Sequence, residues 1–241
     1  MRFLYAFLAW KDKIDMEFLL DTVDLKKIKY YCDKLNVKGV TSNPTILKKD
    51  GVGDDLFAHL KKIKEIIGDE RELHVQVVAP SVSGMIDEAH KIVDEVGKDV
   101  YIKVPTTLDG LEVMKKLKAE GIRVTATAIY TEFQGYQAIN VGADYLAPYY
   151  NRMLNQNIDS AEVIRNLSKR INLDNSNTKI LAASFHNVAQ VNEALSNGAQ
   201  AVTVGPDIVA SAFKMPSISQ AVADFRNDWE SLYGDKNIDN L

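Results

Sequence analysis

The feature that most constrains the fold of this chain is a regular alternation that begins after Met16. Eight short apolar runs rich in Val, Ile and Leu alternate with longer segments in which apolar residues recur at helical spacing. The predicted strands are 18–20, 39–40, 73–78, 100–104, 123–128, 145–147, 179–183 and 201–204. Glycine closes several helical segments, as at Gly121, Gly142 and Gly198, where a left-handed helix end favours it.

Eight strands that are each followed by a helix, with no break in composition, predict a single-domain (β/α)8 barrel, the TIM barrel, with a C-terminal helix at 218–232. An open, doubly wound sheet is the alternative. Such a sheet usually carries a glycine-rich turn after its first strand, and Asp21-Thr22-Val23-Asp24 contains no glycine. We therefore assign 16–241 to one barrel domain.

Residues 1–10, MRFLYAFLAW, look like the apolar core of a signal peptide. The following residues, 11–15, are mostly charged and offer no small-residue cleavage site, and Met16 directly precedes the first strand. We interpret 1–15 as an N-terminal extension or the product of an upstream start. A short helix that closes one end of the barrel is the alternative.

Composition excludes several classes of function. The net charge is −4 with no basic patch, so nucleic acid is not an expected partner, and no apolar run reaches membrane-spanning length. The single cysteine, Cys32, rules out an intrachain disulfide and fits the cytoplasm. The four histidines show no ligand spacing with it, and no nucleotide motif is present, so we expect neither a metal nor a cofactor.

Lys103 stands inside the apolar, β-branched run 100–105. Such a run is typical of a strand buried on both faces, and a buried ammonium is costly. Burial lowers the pKa of lysine, and a neutral amine attacks carbonyl carbon. The run therefore indicates an enzyme that forms a Schiff base. A lysine at a strand end that extends into solvent is the alternative.

Polar side chains concentrate at the carboxyl ends of the predicted strands, where TIM barrels carry their chemistry. They are Asp21, Thr41, Asn43, Gln76, Lys103, Thr127, Tyr149, Arg152 and Ser184. Turn or cap formation is the structural alternative for Asp21, Thr41 and Asn43. Gln76 and Thr127 lie within apolar strands, so capping does not explain them.

Several segments together resemble the transaldolase and fructose-6-phosphate aldolase family. They are FLLDT at 18–22, GVTSNPTI at 39–46, YIKVP at 101–105, TAIY at 127–130, GADYLAPY at 142–149, LAASF at 181–185 and ADFRNDW at 223–229. The resemblance extends over 16–234 in the family's order, and the motifs are specific only in combination.

The resemblance implies a role for each polar residue. Lys103 is similar to the family's Schiff-base lysine, and Asp21 to the residue that moves protons during carbon–carbon bond cleavage. Asn43 is similar to a donor to the hydroxyls of the donor ketone, and we place Thr41 in the same substrate-binding group. Arg152 and Ser184 correspond to groups that hold a substrate phosphate, for which a guanidinium fork is suited. A surface ion pair is the alternative for Arg152.

Two positions distinguish the branches of the family. Transaldolases carry a glutamate on the third strand and a phenylalanine after the sixth, whereas this chain has Gln76 and Tyr149. By resemblance to the aldolases, Gln76, Thr127 and Tyr149 position a water that protonates the enamine. We therefore expect an aldolase that cleaves fructose 6-phosphate into dihydroxyacetone and glyceraldehyde 3-phosphate. The alternatives are a transaldolase of the pentose phosphate pathway and a non-catalytic protein that binds sugar phosphates.

Two further expectations follow from the resemblance. The eighth strand ends in Gly205-Pro206, with proline one position later than in the relatives, so the phosphate end of the site is expected to differ. The family also implies a homo-oligomeric ring in which the C-terminal helix around Phe225 and Trp229 packs on a neighbour. Packing of both aromatics on their own barrel is the alternative.

Overall fold

The computed structural model describes residues 16–53 and 55–241, and its strands form one closed parallel barrel in the order β1 to β8. The strands are β1 Glu17–Asp21, β2 Gly39–Thr41, β3 Glu72–Gln76, β4 Tyr101–Pro105, β5 Arg123–Ile129, β6 Tyr145–Pro148, β7 Lys179–Ala182 and β8 Ala201–Val204. Because β1 pairs with both β2 and β8, the predicted TIM barrel is confirmed and the open sheet is wrong. The prediction for 1–15 lies outside the described residues.

Helices follow the strands and surround the barrel. They are α1 Leu25–Cys32, α2 Pro44–Lys49, α3 Leu56–Ile67, α4 Val82–Val96, α5 Leu108–Ala119, α6 Glu132–Asn140, α7 Tyr150–Leu154, α8 Ser160–Leu173, α9 Val188–Ser196, α10 Pro206–Phe213 and α11 Pro216–Tyr233, before a 3-10 turn at Ile238–Asn240. Gly121, Gly142 and Gly198 take positive φ values of 77°, 82° and 100°, as expected at helix ends. The sequence pattern missed α2 and α7, which are only 6 and 5 residues long.

Strand ends differ from the sequence expectation by one or two residues, most clearly in β3. This strand ends at Gln76, whereas the apolar run continues to Val78. The backbone N–H groups of Val78 and Ala79 donate to Glu88 Oε2 at 2.6 and 3.0 Å, which turns the chain away from the sheet. Val78 is consequently 62% exposed. A side chain from the next helix, and not local propensity, ends the strand.

The strands bury two separate apolar layers. Residues that point outward, such as Leu20, Val40 and Ile102, pack under the helices in the main core. Residues that point into the barrel form a second, small cluster of Leu19, Tyr145, Leu181 and Ala201, with Tyr101 against it. This division follows from the alternation of side chains along a strand, so every second residue of each strand faces the barrel axis.

The last long helix, α11, lies apart from the core. None of its residues is buried, and Phe225 is 72% exposed. Trp229 is partly exposed, stacks near Tyr233 and donates its indole N–H to the Lys236 carbonyl at 2.7 Å. The alternative in which both aromatics pack on their own barrel is therefore wrong. Within 16–53 and 55–241, the helices are too short or too polar to cross a membrane.

Candidate active site

Lys103 is the middle residue of β4 and points into the barrel. Tyr101, two residues earlier on the same strand, contacts the barrel-facing rings of His74 and Tyr145, so Lys103 faces the same interior. Its side chain is buried, with a relative exposure of 4%. Burial lowers the pKa of the Lys103 ammonium, and the nearby Asp21 carboxylate opposes that shift. The alternative of a strand-end lysine in solvent is wrong.

Asp21 is the last residue of β1 and lies at the barrel mouth beside Thr41, the last residue of β2. The Thr41 hydroxyl donates to Asp21 Oδ1 at 2.6 Å and lies 2.6 Å from the Thr203 hydroxyl of β8. Burial raises the pKa of Asp21, whereas Lys103 and the Thr41 hydrogen bond lower it. Neither residue caps a helix, since α1 is capped by Asp24. Asp21 is thus a carboxyl group held at one position inside a protein-lined mouth.

Asp50, which the sequence pattern did not identify, supports the loop that follows Asp21. Its carboxylate accepts the Thr22 hydroxyl at 2.8 Å and the Val23 backbone N–H at 3.0 Å. Its negative charge also raises the pKa of Asp21. Asp50 is the C-cap residue of α2, and an aspartate after a short helix carries no sequence signal for this contact.

Asn43 caps α2, as the structural alternative anticipated. Its Oδ1 accepts the Ile46 backbone N–H at 3.1 Å. The cap uses only the carbonyl end of the side chain, so the amide nitrogen keeps two donors. Capping and substrate binding are therefore compatible, and the cap fixes the direction of the side chain just beyond β2.

Thr127 and Tyr149 meet on the opposite side of the mouth from Asp21. Their hydroxyl oxygens are 3.0 Å apart, and the Tyr149 backbone N–H donates to the Ile129 carbonyl at 3.0 Å. The register between β5 and β6 shifts at Ala128, whose φ is 57°. This irregularity lies between Thr127 and Ile129, the residue whose carbonyl accepts the Tyr149 N–H. Burial raises the pKa of the Tyr149 phenol, and the Thr127 hydrogen bond opposes it.

Arg152 lies in α7 with its guanidinium carbon 4.6 Å from the centre of the Tyr149 ring. This contact is a cation–π pair, which leaves the N–H groups free to bind an anion. Among the described residues, Arg152 forms no salt bridge with a carboxylate, so the surface ion pair is not observed. Its charge lowers the pKa of both Asp21 and Tyr149.

Gln76 is the last residue of β3 and is in register with Lys103 of β4. Its Oε1 is the one buried side-chain oxygen that finds no hydrogen-bond partner within 16–53 and 55–241. An unsatisfied buried acceptor is costly, so such a group typically awaits a water or a ligand. Its register with Lys103 places Gln76 beside that lysine on the neighbouring strand.

Ser184 and Gly205 lie just after the last two strands, β7 and β8. Ser184 has a φ of 62°, and its carbonyl accepts the Asn151 N–H at 2.9 Å, so the residue lies against α7, which carries Arg152. Gly205 is the N-cap of α10, and a Cβ built on it would meet no atom within 4 Å. The glycine leaves open space at this edge of the mouth.

The mouth therefore combines a lysine of lowered pKa, a carboxyl of raised pKa, a phenol–hydroxyl pair and a guanidinium at the rim. Such a set can add an amine to a carbonyl, move a proton and hold an anion. In the part of the chain that the structure describes, no three His, Cys, Asp or Glu side chains are arranged to hold a metal ion. Each of the nine predicted residues lies in a strand or in the segment that follows one, and their joint role in one reaction stays a prediction.

Comparison with known proteins gives a consistent result. The sequence model of the family described as "Transaldolase/Fructose-6-phosphate aldolase" matches residues 18–237. A protein of Streptococcus pneumoniae (strain ATCC 700669 / Spain 23F-1), named "Probable fructose-6-phosphate aldolase", is 53% identical over 223 residues. That match covers 92% of this chain and 100% of the relative.

Proposed function

This chain belongs to the transaldolase and fructose-6-phosphate aldolase family, and we propose that it is a class I aldolase of sugar phosphates. In this proposal it reversibly cleaves fructose 6-phosphate into dihydroxyacetone and glyceraldehyde 3-phosphate. The observation that carries the choice of aldolase is the Thr127–Tyr149 pair, at 3.0 Å, on the same mouth as the unpartnered Gln76 Oε1.

The reaction begins at Lys103. Its neutral amine adds to the C2 carbonyl of the sugar, and loss of water leaves a protonated imine. Asp21 then accepts the proton of the C4 hydroxyl while the C3–C4 bond breaks, which releases glyceraldehyde 3-phosphate. The bonding electrons pass to the imine and give an enamine on Lys103. The raised pKa of Asp21 suits a group that takes a proton and returns it.

The fate of the enamine decides between the two activities of the family. A water held by Gln76 Oε1, Thr127 and Tyr149 would protonate the enamine at C3. Hydrolysis of the resulting imine then frees dihydroxyacetone and restores Lys103. Tyr149 carries an exchangeable proton, which phenylalanine lacks. Fast protonation makes the protein an aldolase; slow protonation leaves the enamine for an acceptor aldehyde and makes it a transaldolase.

The remaining residues bind the substrate. We assign the phosphate to Arg152 and Ser184, because a guanidinium at the rim suits phosphate oxygens. Asn43 and Thr41 bind the hydroxyls of the dihydroxyacetone half: the capped Asn43 keeps its amide donors, and Thr41 holds Asp21 in place.

The experiment that tests the proposal measures release of glyceraldehyde 3-phosphate from fructose 6-phosphate with no acceptor aldehyde. We expect many turnovers per subunit. At most one turnover per site would contradict the aldolase and favour the transaldolase. Borohydride reduction in the presence of dihydroxyacetone should add the ketone to Lys103, as read by peptide mass. Saturable sugar-phosphate binding with no trapped adduct would instead indicate a non-catalytic protein.

We propose further that the protein forms a homo-oligomer in which α11 packs on a neighbouring copy. The support is the exposure of its apolar residues, including Phe225 and Leu232. Light scattering of the native protein and of Phe225→Asp tests this. A monomer in both cases would overturn it. We place the enzyme in the cytoplasm, where the half-buried thiol of Cys32 would stay reduced.

A further inference from the structure

The barrel interior contains a second polar cluster below Lys103, which the proposed reaction does not use. This floor cluster consists of Glu17, Glu72, His74, Tyr145 and Lys179. The Tyr145 hydroxyl lies 2.7 Å from Glu17 Oε2 and 3.1 Å from Glu72 Oε2, and Lys179 pairs with Glu17 at 2.5 Å. These contacts join β1, β3, β6 and β7 across the barrel.

His74 is the member of the floor cluster that is nearest to the candidate active site. It is fully buried and lies two residues before Gln76 on β3. Its ring stacks on Tyr101 with 4.5 Å between ring centres and 9° between the planes. Tyr101 immediately precedes Lys103 among the barrel-facing residues of β4. The imidazole therefore occupies the layer directly beneath the reactive lysine.

A hydrogen bond connects His74 to the other neighbour of β4. His74 Nδ1 is 2.8 Å from the Thr125 hydroxyl of β5, and Thr125 is in register with Lys103. Since β4 lies between β3 and β5, this bond crosses the inner face of the strand that carries Lys103. The His74–Thr125 hydrogen bond therefore lies beneath the side chain of Lys103.

The partners of His74 define its proton arrangement. Nε2 faces Glu72 Oε2 at 3.4 Å, and a carboxylate can only accept, so the neutral ring carries its proton on Nε2. Nδ1 then accepts the Thr125 hydroxyl. A second proton on the ring would make Nδ1 a donor, and the Thr125 hydroxyl, which can also accept, would then receive that hydrogen bond. A charged imidazole therefore reverses the direction of the bond and adds a cation below Lys103.

We propose that His74 is a positioning residue of the Schiff-base reaction. Its neutral ring, bonded to Thr125, supports Lys103, and its charged ring repels the ammonium form of Lys103. The inference rests on the proposed function, because it concerns the same lysine. Burial lowers the pKa of His74, and the charge on Lys103 lowers it further, whereas Glu72 and Glu17 raise it. Tyr101 and Tyr145 face the ring from β4 and β6 without a charge at neutral pH.

The coupling between the two groups is reciprocal, which gives a direct test. The ring of His74 is followed by nitrogen NMR of the imidazoles in the full-length protein, assigned by the signal lost in His74→Gln. We expect Lys103→Met to raise the pKa of His74 by about one unit, since it removes a neighbouring cation. The exposed His90, paired with Glu120, is the internal control, and its NMR signals should be the same in both proteins. Identical titration of His74 in wild type and Lys103→Met, including a ring that stays neutral to the same pH, would overturn the proposal.

A kinetic readout separates positioning from a merely structural role. In His74→Gln the side chain cannot be charged, so Lys103 loses a cation that disfavours its ammonium form at acid pH. We therefore expect the acid limb of kcat to move to higher pH by about half a unit or more. The matched control His90→Gln should keep the wild-type profile. A structural role predicts a uniform loss at every pH, and superimposable profiles after scaling would contradict the inference. Failure to trap dihydroxyacetone on wild-type Lys103 would instead contradict the proposed function itself.

Discussion

Polar groups at the mouth of the barrel and in the floor cluster differ in whether their charges and hydrogen-bonding atoms have partners. In the floor cluster the carboxylates of Glu17 and Glu72 are paired with lysines and with Tyr145, so their charges are compensated. At the mouth, Lys103 is buried with a lowered pKa, Asp21 has a raised pKa, and Gln76 Oε1 has no partner within 16–53 and 55–241.

This difference indicates that the polar groups of the floor cluster stabilise the fold, whereas those at the mouth are available for a reaction. Compensated buried charges hold strands together, whereas uncompensated ones raise the free energy of the folded state and are reactive. His74, the member of the floor cluster nearest to the mouth, and Thr125 of β5 lie between Lys103 and the rest of the floor cluster. Substitutions at the two levels should therefore have different signatures, and the predictions below run from the largest expected effect to the smallest.

The strongest test of the mouth is Lys103→Met. We expect turnover to fall by about 10⁴-fold or more, because the covalent step loses its nucleophile. The folded pKa of Lys103 is below the unfolded one, so the wild type gains stability as pH rises from the folded pKa toward 10.5. At pH values below that window the variant should be more stable than wild type, by about 1 kcal/mol. Denaturant unfolding and the acceptor-free assay measure the two effects, and unchanged turnover would remove Lys103 from the mechanism.

Tyr149→Phe tests the proton at the opposite side of the mouth. We expect acceptor-free cleavage of fructose 6-phosphate to fall by about 10- to 100-fold, since protonation of the enamine loses a hydroxyl group. Transfer to an added aldehyde should fall less, so the ratio of transfer to cleavage rises. Tyr130→Phe is the matched control, because its ring packs edge-on against Tyr149 at 5.8 Å. A proportional loss of both activities would argue against a role in protonation.

The charge of Asp21 is tested through the pH dependence of imine formation at Lys103, and not through turnover. Asp21 raises the pKa of Lys103 against the effect of burial. In Asp21→Asn the neutral amine should therefore persist to lower pH, and the midpoint of borohydride trapping should move down by about one unit. An upward movement, or none, would show that the carboxylate does not face the lysine.

Lys179→Met tests the floor. It leaves Glu17 without its lysine partner, so we expect the free energy of unfolding to fall by about 1–2 kcal/mol. Because the site lies at the far end of the barrel from the mouth, kcat and KM should change by no more than about twofold. Chemical denaturation and steady-state kinetics measure both. A large loss of kcat with unchanged stability would contradict the structural role that we assign to the floor cluster.

The alternation of apolar runs was enough to predict the barrel, because a closed parallel sheet requires eight strand–helix units of this kind. Lys103, Gln76 and Thr127 were selected for a similar reason: each is a polar residue flanked by apolar residues on both sides in the sequence. The strand ends were less predictable. β3 ends at Gln76 because Glu88 accepts hydrogen bonds from the backbone N–H groups of Val78 and Ala79, a contact across about ten residues that no local pattern records.

The floor cluster and Asp50 were missed for physical reasons. Glu72, His74 and Gln76 alternate along β3, and this alternation is the signal that its inner face is polar from end to end. The sequence pattern indicates only an apolar run at 73–78, so it assigns no role to Glu72 or to the ring of His74. Asp50 acts through Thr22 and the Val23 backbone, a contact between segments 27 or more residues apart that only the folded chain creates.

Closure of the barrel also governs when the protein can first work during its synthesis. The pairing of β1 with β8 places Glu17 beside Ala201. Thr41, which donates a hydrogen bond to Asp21, also contacts Thr203 of β8. While the ribosome extends the chain, β1 keeps an unpaired edge until β8 emerges, and such edges invite association between nascent chains. A truncated product that lacks β8 would contain Lys103 and Asp21 but would lack the closed barrel that brings them together. The active site is therefore complete only after β8 has been synthesised and has paired with β1.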